Sequence, residues 1–322
     1  MKKYLFLIIG ISFILAGCTS VKYDAALNNN NKTEDTISVI DSSNHKLTVK
    51  KVPEKVVALS SSFAELWMLS GGKLAGVTSD AVSNRNIGIN QNDAEIVGTE
   101  MKPNSEKILE IKPDLVILDK DMTSNMALTV MLDKAGIPYY ICKVETLDDY
   151  LSALKKFVSI TGEKNNYNEN GEKVKKQVDS LLKLLPNSNK KTPSALVLRA
   201  YSSGVHVLSD DNVTCNILDD MGVDNIAKSN KSLLKDLSIE AIIRDNPDYI
   251  FVVTMGSNND NAIASLKKSL ISNPAWNTLK AVKSNKVFIL PKELFQYKPN
   301  NKWGDSYEYL LKIIYPEIYK TK

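Results

Sequence analysis

Histidine and cysteine are both scarce in this chain, two and three among 322 residues. A zinc-type centre needs several His, Cys or carboxylate ligands converging on one ion, and His45 and His206 stand far apart. No such centre is expected. Three cysteines cannot build a disulfide framework. Cys142, in the apolar stretch YYICKV, and Cys215, near a helix start, are expected as buried free thiols. Glycine signatures are missing too: no GxGxxG follows a strand, and there is no GxxxxGK[ST] or GxSxG. Neither His lies in a motif with a Ser or Cys nucleophile, so an enzyme is not expected. The net charge of +4 is small and spread, with no cluster of basic residues interleaved with aromatics. That argues against nucleic acid as a partner. With 43% apolar and 24% charged residues the chain is globular, and its length suits two domains of ordinary size.

What is present starts at the N-terminus. Lys2 and Lys3 precede an apolar run from Tyr4 to Ala16, too short to span a bilayer comfortably, then Gly17 and Cys18. This is the grammar of an export signal over residues 1–17. Leu15-Ala16-Gly17-Cys18 resembles the bacterial lipobox, whose Cys is diacylated and becomes the mature N-terminus. An ordinary signal with an incidental Cys is the alternative. Two acyl chains hold a protein stably on a membrane surface. Residues 18–36, with four asparagines at 28–31, read as a flexible tether.

Two later stretches repeat one sentence about 134 residues apart. In VGTEMKPNSEKILEIKPDLVILDK (97–120), Asn104 caps a helix with Glu106 near its positive end. Ile108, Leu109 and Ile111 form its apolar face, Pro113 stops it, and Leu115–Leu118 is a buried strand. In LSIEAIIRDNPDYIFVVTMG (237–256), Ser238, Glu240, Ile242, Ile243, Pro247 and Tyr249–Val253 play the same parts. Further strands are expected at 56–59, 95–97, 137–141 and 195–198, alternating with helices. The fold class is therefore α/β, two similar lobes with parallel sheets: 37–145 and 189–322, joined by helices over 146–188. Ligands of open parallel sheets bind beyond the carboxyl ends of the strands. Ser60, Ser61 and Ser62, Met101, Arg199 to Tyr201, and Met255 all follow strands, so they are expected to face a cleft between the lobes.

These motifs, with NPAWNTLKAVKSNKVFIL (273–290), resemble the class III, Fe/B12-type solute-binding lipoproteins of ABC importers, over about residues 50–318. The resemblance implies a monomer of two lobes bridged by one long rigid helix, with no cofactor of its own and no catalysis. Such proteins carry siderophores, haem or cobalamin to a permease dimer driven by a cytoplasmic ATPase, and are anchored to the membrane by lipid. The family docks onto permease arginines through one surface Glu per lobe, and the matching positions are Glu106 and Glu240. A Glu in the first helical turn also simply favours the helix dipole.

Within the class the likeness is nearest to haem-binding lipoproteins of Gram-positive surfaces, where a VGxxMxPxxE stretch supplies an axial Met to the iron. Met101 matches it. Their second ligand is a His after the second-lobe strand, and the matching residue here is Met255. Two thioethers can ligate haem iron, and two flexible thioether side chains can equally line a pocket for another ligand. Arg199 is a candidate partner for a propionate or siderophore carboxylate. Tyr201 and Tyr297 are candidate phenolate ligands or stacking surfaces. His206 is expected on a surface strand as a spare ligand and His45 in an exposed hairpin, with Trp67 and Trp276 in the core. Haem is the favoured ligand, with a ferric siderophore or cobalamin as alternatives. A surface interaction module is the alternative of a different class.

Overall fold

The structure, a computed structural model, describes residues 35–319 apart from positions 91, 187–191, 236 and 257. The expected signal segment 1–17, Cys18 and the tether as far as Glu34 lie outside the described residues. Pairing begins at Thr36, one residue inside the expected tether: β1 (Thr36–Ile40) and β2 (Lys46–Lys50) form an antiparallel hairpin.

The first lobe holds β3 (Val56–Ala58), β4 (Gly76–Val77) and β5 (Glu95–Ile96), a small hairpin of β6 (Gly98–Thr99) and β7 (Lys102–Pro103), then β8 (Leu115–Asp119) and β9 (Tyr139–Cys142). Its sheet runs β5-β4-β3-β8-β9, every pair parallel. All five residues of β8 are buried, as a strand covered on both faces requires. The second lobe holds β10 (Ser194–Tyr201), β11 (Gly204–Leu208), β12 (Asp224–Asn225), β13 (Tyr249–Thr254) and β14 (Val287–Ile289), in the order β11-β10-β13-β14 with β12 also on β10. It departs from the expected all-parallel sheet. Ser202 and Ser203 alone separate β10 from β11, a link too short for a crossover, so β11 pairs antiparallel.

The repeated sentence has a repeated mechanical purpose. The Asn104 side chain accepts from the backbone N–H groups of Glu106 and Lys107 (3.0 and 3.1 Å), and Ser238 Oγ accepts from Ala241 (3.2 Å), capping helices Ser105–Ile111 and Ile239–Asp245. Each helix closes on a left-handed residue, Lys112 or Asn246, just before Pro-Asp. The Asp then clasps the neighbouring parallel strand. Asp114 Oδ2 accepts from the N–H groups of Glu54 and Lys55 ahead of β3, and Asp248 Oδ2 from that of Ser194 at the start of β10.

Between the lobes, helix Leu147–Thr161 opens with a capping box on Thr146 and Asp149 and ends at left-handed Gly162. A second helical run covers residues 164–182, about 28 Å at 1.5 Å per residue. It carries a π-turn at Asn168–Glu172, which displaces a carbonyl from the ladder. Tyr150 Oη donates to Asn170 O at 2.6 Å, and Asn170 Nδ2 donates to Leu69 O at 2.9 Å, so the irregular turn also staples the linker to the first lobe.

Three apolar clusters result. One backs the outer face of the first sheet around Ile108 and Val116, and another the outer face of the second around Leu198 and Ile242. The largest runs from Phe63 and Trp67 through Leu154 and Val178 to Val197 and Trp303, joining both lobes through the linker helices. Trp67 and Trp276 are core residues, and both Cys142 and Cys215 are buried free thiols.

Candidate ligand-binding cleft

Carboxylates crowd the strand tips of the first lobe. Asp80 follows β4, Glu100 follows β6, Asp119 ends β8 and Glu145 follows β9. Burial, reinforced by Asp80 and Asp119, pushes the Glu100 carboxyl up to about 7 against the Ser60 hydroxyl and Lys298. Burial likewise raises Asp119, with Lys298 opposing it. Glu100 and Met101 form the turn between β6 and β7, and this turn depends on Gly98. With φ at +100°, a Cβ on Gly98 would lie 2.5 Å from Lys102 O. Met101 is 70% exposed at that tip.

The three serines directly follow β3 and its last neighbour Leu59. Ser60 is the N-cap of helix Ser61–Leu69, and Ser61 and Ser62 form its first turn, all three buried. The Ser62 hydroxyl accepts from Arg85 Nη1 (3.1 Å) and the Lys298 N–H (3.2 Å), and the Ser61 N–H donates to Asp80 (3.0 Å). The Ser60 side chain makes no cap hydrogen bond, and the helix start is held instead by the Ser61 N–H on the Asp80 carboxylate.

On the second lobe Arg199 and Tyr201 lie within β10 rather than after it, because β10 stays paired with β13 through Ala200 and with β11 through Tyr201. His206 on β11 is exposed. It stands opposite Arg199 in register and edge-on to Tyr201, with ring centroids 5.5 Å apart. The Arg199 Nε is buried and has no protein partner. The half-buried Met255 continues β13 with a backbone bond to Ala200 O (2.8 Å), and its sulfur accepts from Gln296 Nε2 at 3.3 Å. Tyr297 lies under the Arg85 guanidinium, 5.2 Å from the ring centroid, and burial raises its hydroxyl away from the phenolate form. His45 is half-buried instead of exposed, stacked on Tyr139 at 4.9 Å, because the first hairpin folds back onto β9.

Sequence reasoning singled out Tyr297 and passed over its neighbours. Lys298 Nζ reaches Glu145 at 2.6 Å, its carbonyl accepts from Arg85 Nη2 at 2.7 Å, and Asn300 Nδ2 donates to Ser62 O (2.9 Å) and Glu65 Oε2 (2.6 Å). Arg85 and Glu65 also pair directly. The signal that could have found the acids was one carboxylate after each of four first-lobe strands. Beside Glu145 a cavity of about 590 Å³ opens between the lobes, lined among others by Asp41, Lys143, Asp149, Asp211 and Asn216. No group of three or more His, Cys, Asp or Glu among the described residues is arranged to hold a metal ion.

Glu106 and Glu240 are both exposed in first turns. Glu240 is held below the usual carboxylate range by its own backbone N–H and by the Ser238 hydroxyl, which donates to it at 2.9 Å. No helix of the described residues is long and apolar enough to cross a membrane.

Two α/β lobes joined by linker helices, with strand-tip groups of the first bonded to the 298–300 segment of the second, have the architecture of a solute-binding protein. The chain belongs to the periplasmic binding protein family, whose profile matches residues 56–294. It is 29% identical over 305 residues to the Fe(3+)-citrate-binding protein YfmC of Bacillus subtilis, covering 89% of this chain and 90% of that one. It is 26% identical over 318 residues to the ABC transporter substrate-binding lipoprotein YvrC of the same organism, covering 95% of each. The fold matches that of Staphylococcus aureus SirA complexed with staphyloferrin B, with a TM-score of 0.65 and 22% identity over 87% of this chain and 98% of SirA. YfmC is named as a binding protein and YvrC as the substrate-binding lipoprotein of an ABC transporter; this chain is likewise a binding protein and not an enzyme.

Proposed function

We propose that this protein is the lipid-anchored, extracytoplasmic binding component of an ABC importer for an iron complex, with haem the favoured ligand. The observation that carries the haem reading is the exposed Met101 thioether on a first-lobe strand tip, with Met255 at the tip of β13 on the other lobe. Soft thioethers suit haem iron, and the free Arg199 Nε offers a donor for a propionate. A ferric siderophore is the second reading. The Met255 sulfur is already engaged by Gln296, and YfmC and SirA are named for ferric citrate and staphyloferrin B. Loaded protein docks on the permease through Glu106 and Glu240 and is held at the membrane by acylated Cys18.

Haem titrated into the purified protein is expected to give a sharpened Soret band that shifts or weakens in Met101→Ala. No spectral change, together with quenching of Trp fluorescence by a ferric siderophore or ferric citrate at micromolar levels, replaces haem by the siderophore reading. For the anchor, Cys18→Ala is expected to move the protein from the membrane fraction to the medium. Retention of that variant on membranes would remove the anchor.

A further inference from the structure

The segment Lys298–Asn300 belongs to the second lobe by sequence and to the first by contact. Its backbone is held at both ends of Lys298, the N–H by Ser62 Oγ (3.2 Å) and the carbonyl by Arg85 Nη2 (2.7 Å). Its side chains go the same way, Lys298 to Glu145 and Asn300 to Ser62 O and Glu65. Asn300 is fully buried in the left-handed region, φ +54°, a conformation that Asn tolerates better than most residues. These charges are shielded from water: the side chains of Lys298 and Arg85 are 14% and 6% exposed. An ion pair in such a place is stronger than one in water. Two further charged bridges between the lobes among the described residues, Lys298–Asp121 at 3.9 Å and Lys143–Asp211, have exposed carboxylates and are screened accordingly.

We propose that Lys298–Asn300 is a strap across the cleft, that Lys298 is the positioning residue fixing the distance between the two ligand-binding walls, and that acidification loosens the strap at Glu145. The strap acts whichever complex is bound.

Glu145 is surrounded as follows. From the strap comes Lys298; from the loop after β8, Asp121, whose carboxyl hydrogen-bonds to it. From helix Leu147–Thr161, Asp149 takes its backbone N–H, and from helix Val213–Asp220, Asn216 Nδ2 takes its carbonyl (2.9 Å). Lys143, paired with Asp211, stands two residues before it, and the cavity beside it admits water. Burial pushes the Glu145 carboxyl up to about 7, Lys298 opposing and Asp121 adding to the rise. The sign follows. A carboxyl whose folded value lies above its unfolded one is easier to protonate in the native state, so folding is not weakened as pH falls through 7. Protonation does remove the nearer of the two anions paired with Lys298, leaving Asp121 at 3.9 Å. Acid therefore loosens the strap at its charged contact while the lobes stay folded.

Spin labels at Lys134→Cys and Lys268→Cys, exposed positions on the two lobes, report the interlobe distance. Cys142 and Cys215 are buried and stay in place. The wild type is expected to show one narrow distance at pH 8 and an added, longer population at pH 6, with no fall in its unfolding temperature. Lys298→Met is expected to show the longer population at both pH values, and Lys298→Arg to restore the wild-type pattern. Should Lys298→Met fail to fold, Glu145→Gln carries the test, giving at pH 8 the distribution of the wild type at pH 6. One unchanged distance in Lys298→Met, or in the wild type across the two pH values, overturns the proposal. So does broadening at pH 6 that comes only with a lowered unfolding temperature.

Discussion

Reversing both acids of the proposed docking surface, Glu106→Arg with Glu240→Arg, is expected to abolish uptake of the iron complex by cells while leaving its affinity for the purified protein unchanged. Both side chains are exposed in first helical turns, outside the strand tips that form the cleft walls. The cap acceptors Asn104 Oδ1 and Ser238 Oγ take backbone N–H groups and remain, so each helix keeps its start, while the reversal removes the bond that the Ser238 hydroxyl donates to Glu240. Glu240 is ionised at neutral pH because its own N–H and the Ser238 hydroxyl stabilise the anion. Exposed charges of this kind contribute register and encounter rate more than affinity, and placing like charge against like imposes a penalty of several kcal/mol on the wrong complex. On the proposed docking to permease arginines, two reversals should therefore stop productive docking, and either alone should leave partial uptake. Radiolabelled uptake in complemented cells, beside a fluorescence titration, reads both quantities. Normal uptake by the double variant would remove the docking role and leave the solute-binding class untouched.

The parts of this molecule governed by local chemistry were legible in its sequence. Cap, apolar helix face, Pro-Asp and buried strand recur in both lobes because each lobe solves the same local problem, turning a helix back into a parallel strand whose neighbour the Asp must clasp. The short β4, β6, β7, β12 and β14 went unread, while β3, β5, β8, β9, β10 and β13 were found. Their far ends were not: Arg199 and Tyr201 interrupt the apolar pattern of β10, yet the ladder continues through them because partners exist on both sides. The strand carrying His206 was expected, but its antiparallel pairing with β10 was not, because two serines look like any loop start until the register is known. The least legible feature was the ionic seam at Glu65, Arg85, Glu145, Lys298 and Asn300. Its partners stand more than 200 positions apart in two cases, Asn300 to Glu65 and Lys298 to Arg85. No periodicity links them, and a lone Lys or Glu in a sequence is ordinarily a solvated surface group.

Glu65→Ala is expected to cost about 3–5 kcal/mol, the usual effect of stripping one partner from a buried ion pair. The carboxylate lies on helix Ser61–Leu69 and serves two donors, the Arg85 guanidinium and Asn300 Nδ2. Without it the buried Arg85 keeps the Ser62 hydroxyl, the Lys298 carbonyl and the face of Tyr297, all neutral. A guanidinium cannot shed its charge to relieve this, so the penalty falls on folding. The unfolding transition should drop by on the order of 10 °C. Glu169→Ala, which breaks the exposed i,i+4 pair with Lys173, should change it by less than about 0.5 kcal/mol. The decisive measurement is the double variant Glu65→Ala with Arg85→Met. If the cost comes from an uncompensated buried cation, removing that cation recovers a large part of it. If the double variant is less stable than Glu65→Ala by the full effect of Arg85→Met alone, the two side chains act independently. Arg85 would then owe its burial to packing against Tyr297 and the 298–300 backbone, and not to its charge.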